Sequence, residues 1–243
     1  FYGVHSVTLY VDSVQVFNST TDKVLPDENR MINGFTDYEE LTRTRRLIMR
    51  SYKLPGNRLR LLHPNENRGA VTIDEERDYH FRYVLEDNFG NRRTYQFIVK
   101  GKRQDIPEYK PEANEMLYWN RTNVIQKPGM ELVVPRYYVY EDVPLRTDMR
   151  GDSSHIAFDY ILDAGRTPIH SYCDLSIGLR HMPVADTTKY YIVQKAGKWR
   201  SSMGGKYANG WIKTRVRSLG TFSVDVDTIA PDRKSTRLNS SHP

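Results

Sequence analysis

Tyr79–Val99 reads YHFRYVLEDNFGNRRTYQFIV. Tyr79, Phe81, Tyr83 and Leu85 alternate with His80, Arg82 and Val84, the period of a strand with one face buried. Asp87-Asn88-Phe89-Gly90-Asn91 interrupts the run, and Gly90 can take a positive φ at no steric cost. Tyr95, Phe97 and Val99 then repeat the alternation. The stretch predicts a β-hairpin.

Its neighbours predict more of the same. Towards the N-terminus, Val7, Leu9 and Val11 face one side and Ser6, Thr8 and Tyr10 the other. Asp12-Ser13 is a tight connection, and Val14–Phe17 returns as the hairpin partner. Asn18–Arg30 is polar and loop-like. Arg58–Leu62 and Ala70–Ile73 read as strands on either side of the turn Asn65–Gly69. About six or seven short strands over 1–101 predict an antiparallel, immunoglobulin-like β-sandwich.

One segment breaks the pattern. Ile32–Leu59, INGFTDYEELTRTRRLIMRSYKLPGNRL, predicts an inserted amphipathic helix over 36–50. Thr36 and Glu39 have the spacing of a capping box. Tyr38, Leu41, Arg45, Ile48 and Met49 fall on one mostly apolar face, and Arg43, Arg46 and Arg50 lie off it. Pro55-Gly56-Asn57 ends the segment. Such a helix is expected to bury its apolar face against the sheet. Its arginines alternate with apolar and acidic residues, which argues against a basic helix for nucleic acid or membrane.

The polar stretch 102–116 carries Pro107 and Pro111 and reads as a linker. A second sandwich is expected over 117–227. Its strands are Leu117–Trp119, Val124-Ile125, Met130–Val134, Tyr137–Tyr140, His155–Leu162, Cys173–Leu179, Tyr190–Val193, Trp211–Val216 and Phe222–Val226. Gly204-Gly205 and Asn209-Gly210 are its clearest turns. The fold class is therefore all-β, with two antiparallel sandwich units.

Composition agrees. Of 243 residues, 17 are Tyr and 12% are aromatic, which suits strands. Mean hydropathy is −0.67, and no apolar run approaches the roughly 20 residues of a membrane helix. The chain starts at Phe1 without a signal peptide, and its true start is expected to be missing. Asp232–His242 (DRKSTRLNSSH) matches the in-frame translation of a common sequencing-library adapter, so 232–243 is taken as an assembly artefact. Without its three basic residues and one acid, 33 basic side chains face 29 acidic ones, a balance of +4. That weak excess argues against a dedicated nucleic-acid protein. The lone Cys173 cannot form an intrachain disulfide and reads as a buried thiol.

Several stretches also carry a resemblance. Tyr2-Gly3-Val4, LYVDS (9–13), RMINGFTDYEE (30–40), RTRR (43–46), PGNRL (55–59), ENRGAVTIDEE (66–76) and DNFGN (87–91) occur in consistent order. So do VPRYYVYEDVP (134–144), TPIHSYCDLSIGL (167–179) and GWIKTRVRSLGTFSVDVDTIAP (210–231). Together they resemble the region after the catalytic domain in lysostaphin-type (LytM-like) zinc metallopeptidases of Bacteroidetes bacteria. Many of those relatives have small residues where this chain has Arg136-Tyr137-Tyr138. The resemblance covers 1–231 and implies that 228–231 opens a further repeat, cut short here. It implies zinc for a catalytic domain that this chain lacks, and no cofactor in the chain itself.

That family holds zinc with His-x-x-x-Asp and a later His-x-His. His155-Ile-Ala-Phe-Asp159 has the first spacing, but no His-x-His occurs among the seven histidines. A catalytic zinc needs at least three convergent protein ligands. His155 and Asp159 are thus weak outside candidates for a metal, with two solvated polar residues as the plain reading, and no catalytic residue is assigned. Asp74-Glu75-Glu76 and Asp37/Glu39/Glu40 are acidic groups in a turn and at a helix start, where carboxylates suit the dipole. No nucleophile elbow, P-loop or dinucleotide fingerprint is present. Trp119, Trp199 and Trp211 with Tyr137, Tyr138, Tyr190 and Tyr191 can form a glycan-stacking surface or simply pack.

The leading expectation is a non-catalytic accessory region of a cell-envelope endopeptidase, periplasmic or on the outer surface. Its partners would be the missing catalytic domain and peptidoglycan or an envelope protein, with no nucleic acid and no transmembrane segment. The alternative is a stand-alone surface adhesion or glycan-binding module. A self-sufficient enzyme ranks last.

Overall fold

The structure is a computed structural model that describes residues 3–108, 110–152 and 154–228. Residues 229–243, with the adapter-like tail and most of the expected truncated repeat, lie outside the described residues. Among the described residues the fold is all-β, with three antiparallel sheets.

The first sheet has the order β3-β2-β1-β4-β5, from β1 (Val4–Val11), β2 (Val14–Thr20), β3 (Leu62–Pro64), β4 (Asp78–Asp87) and β5 (Arg92–Lys100). Asp12 and Ser13 join β1 to β2, both at positive φ (49° and 71°), the conformation that matches strand twist in a two-residue hairpin. The carboxylate of Asp12 accepts from His80 N (2.9 Å) and pairs with Arg77 (2.6 Å), tying this turn to the start of β4. Leu9, Val11, Val16, Phe17, Leu62 and Tyr79 supply the buried face of the sheet. What covers it is largely irregular chain: Met31, Leu54 and Leu59 pack down from the segment between β2 and β3. Ala70–Ile73, read as a strand, is irregular, and the strand expected at Arg58–Leu62 is displaced to Leu62–Pro64.

The inserted helix is shorter than its periodicity suggests. A 3-10 turn spans Asn29–Gly34, and the α-helix α1 covers only Tyr38–Thr44. Asp37, not Thr36, is the N-cap, accepting from Glu40 N at 3.0 Å. Arg45 stops the helix in the left-handed region (φ 66°). Beyond it the chain doubles back: Asp37 N donates to Ile48 O and Arg50 N to Phe35 O, with a bridge between Thr36 and Met49. This antiparallel return satisfies the backbone in place of further helical turns. Leu47, Ile48 and Met49 are left exposed, and no residue of α1 is buried. The expected packing of an apolar helix face on the sheet is therefore corrected.

The second unit is a two-sheet sandwich. One sheet runs β13-β12-β16-β10-β9-β6 and the other β14-β15-β11-β8-β7. In chain order these are β6 (Glu115–Leu117), β7 (Asn123–Lys127), β8 (Met130–Val134), β9 (Val143–Arg150), β10 (Asp159–Asp163) and β11 (Cys173–Gly178). Then follow β12 (Tyr190–Ala196), β13 (Trp199–Gly204), β14 (Lys206–Ala208), β15 (Trp211–Val216) and β16 (Gly220–Val226). Alternate residues point inward: Met130, Leu132 and Val134 from β8, Cys173, Leu175 and Ile177 from β11, Phe222 and Val224 from β16. Asn114 fastens the entry to this unit. Its side-chain oxygen accepts from Thr147 N (2.8 Å) and Oγ1 (3.0 Å), and its amide donates to Thr147 O (2.8 Å). One expected strand is shortened and another is absent. His155–Phe158 is irregular ahead of β10, and Tyr137–Tyr140 is a turn with Tyr137 at φ 67°.

Candidate functional site

The turn Tyr137–Tyr140 is where the two units meet. Tyr140 belongs by sequence to the second unit, yet it is 3% exposed and clusters with the core of the first. Two glycines make room for it. A Cβ on Gly34 would lie 2.7 Å from the Tyr140 ring, and one on Gly56 would lie 2.9 Å from the Tyr140 carbonyl oxygen. Gly56 N donates to that same oxygen at 2.7 Å. The Tyr140 hydroxyl donates to Arg30 O (2.8 Å) and lies 3.0 Å from His170 Nδ1. A carbonyl only accepts, so the phenol proton is committed to Arg30, and the hydrogen between Tyr140 and His170 sits on Nδ1. Burial raises the Tyr140 phenol pKa, and burial, with Arg58 and Arg30 nearby, lowers that of His170. The joint is therefore held by neutral groups near neutral pH.

Beside the joint lies an aromatic and cationic cluster. Tyr137 stands 5.9 Å from Trp119, ring centroid to centroid, and its amide donates to Trp119 O. The guanidinium groups of Arg58 and Arg136 lie 4.7 Å and 4.4 Å from the Tyr137 ring centre. Arg58 comes from the first unit, so this cluster also spans the joint. On another side a cleft of about 210 Å³ opens between Tyr38, Arg50, Tyr140 and Arg166. That volume is smaller than the roughly 300–1,000 Å³ of small-molecule pockets.

The residues singled out from sequence scatter. His155 Nδ1 lies 2.9 Å from Asp152 Oδ1, while Asp159 accepts from Lys195 Nζ at 2.6 Å. Each has its own partner, and the two do not form a shared ligand pair. Hydrogen bonds from Ser154 and His155 hold the Asp152 carboxyl far below its usual range. Among the described residues no group of three or more His, Cys, Asp or Glu is placed to hold a metal. Cys173 is buried, and burial pushes its thiol up to about 12, the behaviour of an inert core residue.

The acidic groups are also taken up locally. Asp74 accepts from the Tyr79 hydroxyl, Glu75 pairs with Arg77, and Glu76 accepts from Arg103 N. Glu40 pairs with Arg43 and accepts from Thr44. Of the aromatic set, Trp119 and Tyr137 come together beside Arg58 and Arg136. Trp199 is 82% exposed on β13, and Trp211 packs over Gly178. Tyr190 is buried, its hydroxyl bonded to Val184 N and O. Sequence reading missed Tyr140 and Arg58 because nothing local distinguishes them from strand and surface residues, and it marked Arg136 only as part of a departure from the family it resembles.

Residues 114–227 match a family described as the Zu5-like domain. The matched part is the second sandwich, just under half of the chain. No curated protein and no solved structure matches. Among the described residues, no helix is long and apolar enough to cross a membrane.

Proposed function

We propose that the chain is a non-catalytic accessory region of a bacterial cell-envelope zinc endopeptidase, a fixed two-unit arm that positions the catalytic domain against the wall. The observation that carries this reading is the seating of Tyr140 from the second unit in the core of the first. An arm that sets distance and angle needs a joint that does not bend, and a buried side chain flanked by two glycines provides one. The resemblance across 1–231 supports this reading of the parent protein and of an envelope location. The test pairs two measurements on the full chain: retention on insoluble peptidoglycan, and peptidoglycan hydrolysis with added zinc. Retention without hydrolysis is expected. Hydrolysis lost on chelation would overturn the reading and make His155 and Asp159 the first residues to mutate.

A second reading, a surface module that binds glycans, is favoured by the Trp119–Tyr137 pair flanked by Arg58 and Arg136. The Zu5-like match also leans towards a surface or adhesion role. It predicts that wall glycans quench tryptophan fluorescence and that Trp119→Ala removes the change.

A further inference from the structure

β5 is the longest strand edge that the first sheet leaves open. Eight of its nine residues are exposed, and its register with β4 runs through nine pairs without a bulge. Open edges are normally blunted by shortness, proline, bulges or inward charge. The opposite edge of this sheet follows that rule: β3 has three residues and ends at Pro64. β5 has none of these protections in its centre, Thr94–Ile98.

The ladder shows which backbone groups are free. Asp87 N donates to Asn91 O just before β5, and Gly101 N donates to Arg77 O just after it. In an antiparallel pair, bonded positions alternate along the strand. The odd-numbered residues of β5 therefore bond to β4, and Arg92, Thr94, Gln96, Ile98 and Lys100 turn their N–H and C=O groups outward. Beside them runs an unfinished apolar stripe. Phe97 stacks on Phe81 at 5.1 Å and lies 6.3 Å from Tyr83. Phe97 and Tyr95 remain 46% and 53% exposed, although Phe81 and Tyr83 of the same face pack against the core. The sheet's buried face thus runs on past its cover to the open edge.

Charge selects the occupant. β5 carries Arg92, Arg93 and Lys100 and no carboxylate, and Lys102 and Arg103 follow. Arg92 pairs with Glu86 of β4 at 2.7 Å and Lys100 lies opposite Asp78 in the register, while Arg93 lies opposite Leu85. A second copy paired antiparallel about Gln96 would set Arg92 against Lys100 twice, and like charges directly opposite repel. We propose that β5 docks an extended segment of another polypeptide, apolar in its centre and acidic at both ends, as an added antiparallel strand. Its alternate side chains would complete the stripe over Tyr95 and Phe97, and its end carboxylates would meet Arg93 and Lys100.

The test uses the full chain and a fluorescent, blocked peptide of alternating valine and threonine flanked by glutamates. Fluorescence anisotropy should show binding that weakens with added salt. Gln96→Pro removes one outward N–H and leaves the bonds to β4 in place, and it should weaken binding by at least about tenfold. The paired change Arg93→Glu with Lys100→Glu leaves the backbone intact and should transfer preference to a lysine-flanked peptide. Equal binding of both peptides by the unmodified chain would overturn the proposal, as would binding unchanged by Gln96→Pro. Self-association abolished by Gln96→Pro, with no peptide bound, would assign the edge to a second copy instead.

Discussion

Tyr140 shows how one side chain can join two units. Its ring replaces the solvent that a looser joint would admit, and its hydroxyl closes a bond to Arg30 across the boundary. Tyr140→Phe should cost about 0.5–1.5 kcal/mol, the worth of one intramolecular hydrogen bond. Tyr140→Ala should cost about 3–5 kcal/mol, as for other large aromatic deletions in a core. Gly56→Ala pushes a methyl group against the backbone of Val139 and Tyr140, which cannot swing away. It should lose about 1–3 kcal/mol, typical of overpacking. Urea unfolding of the three variants checks the order. None of these positions stood out in the sequence. Tyr140 sits in a run of alternating aromatics that reads as a strand, and Gly56 reads as a plain turn glycine. Trp119 and Tyr137 were legible as candidates because large aromatics are rare enough to be noticed, but Arg58, which reaches them from the other unit, was not.

At the scale of elements, the helix and the edge strand diverge from their local patterns in opposite ways. α1 has the periodicity to reach Arg50 and stops at Arg45, because pairing between 35–37 and 48–50 captures the backbone first. Leu41 is half-buried on a helix with no buried residue, so Leu41→Asp should cost less than about 1 kcal/mol. A melting temperature lowered by ten degrees or more, roughly the sign of a larger loss, would show that the helix is packed after all. β4 and β5 form the hairpin that their alternation predicts, yet the alternation cannot tell that β5 lies at an edge where Phe97 stays 46% exposed. Periodicity reports which face is apolar, and tertiary packing decides how much of that face is covered.

For the molecule as a whole, the acid response should be governed by lowered carboxylates. Glu28 is an instructive case. Its side chain is 5% exposed and bonds to the Arg60 guanidinium through both oxygens and to Leu25 N. The Arg60 hydrogen bonds hold its pKa below the ordinary value of 4.5. Asp12 and Asp87 are lowered as well, Asp12 by His80 N and Arg77 and Asp87 by Asn91. A group whose pKa falls on folding stabilises the fold above its unfolded value and loses that contribution as pH drops towards its folded one. Stability should thus begin to fall below about pH 6.5, where unfolded His170 takes a proton that its buried site resists, and fall further below about pH 4.5 as the lowered carboxylates protonate. Glu28→Gln should flatten part of that fall, which thermal melts between acidic and neutral pH can follow. Deleting Asp232–Pro243 should leave both the melting temperature and peptidoglycan retention unchanged.

The sequence alone determined the all-β class, most of the hairpins and the inward residues of the second sandwich. These depend on a two-residue period, and a period is a local property that survives in a string of letters. It also determined the absence of a His-x-His partner for His155 and Asp159. Only the tertiary structure decided where the helix ends, which strand is left open, and that Tyr140 crosses from one unit into the core of the other. Each of those outcomes turns on contacts between residues far apart in the chain. Their energies depend on what lies opposite, and no local pattern records that.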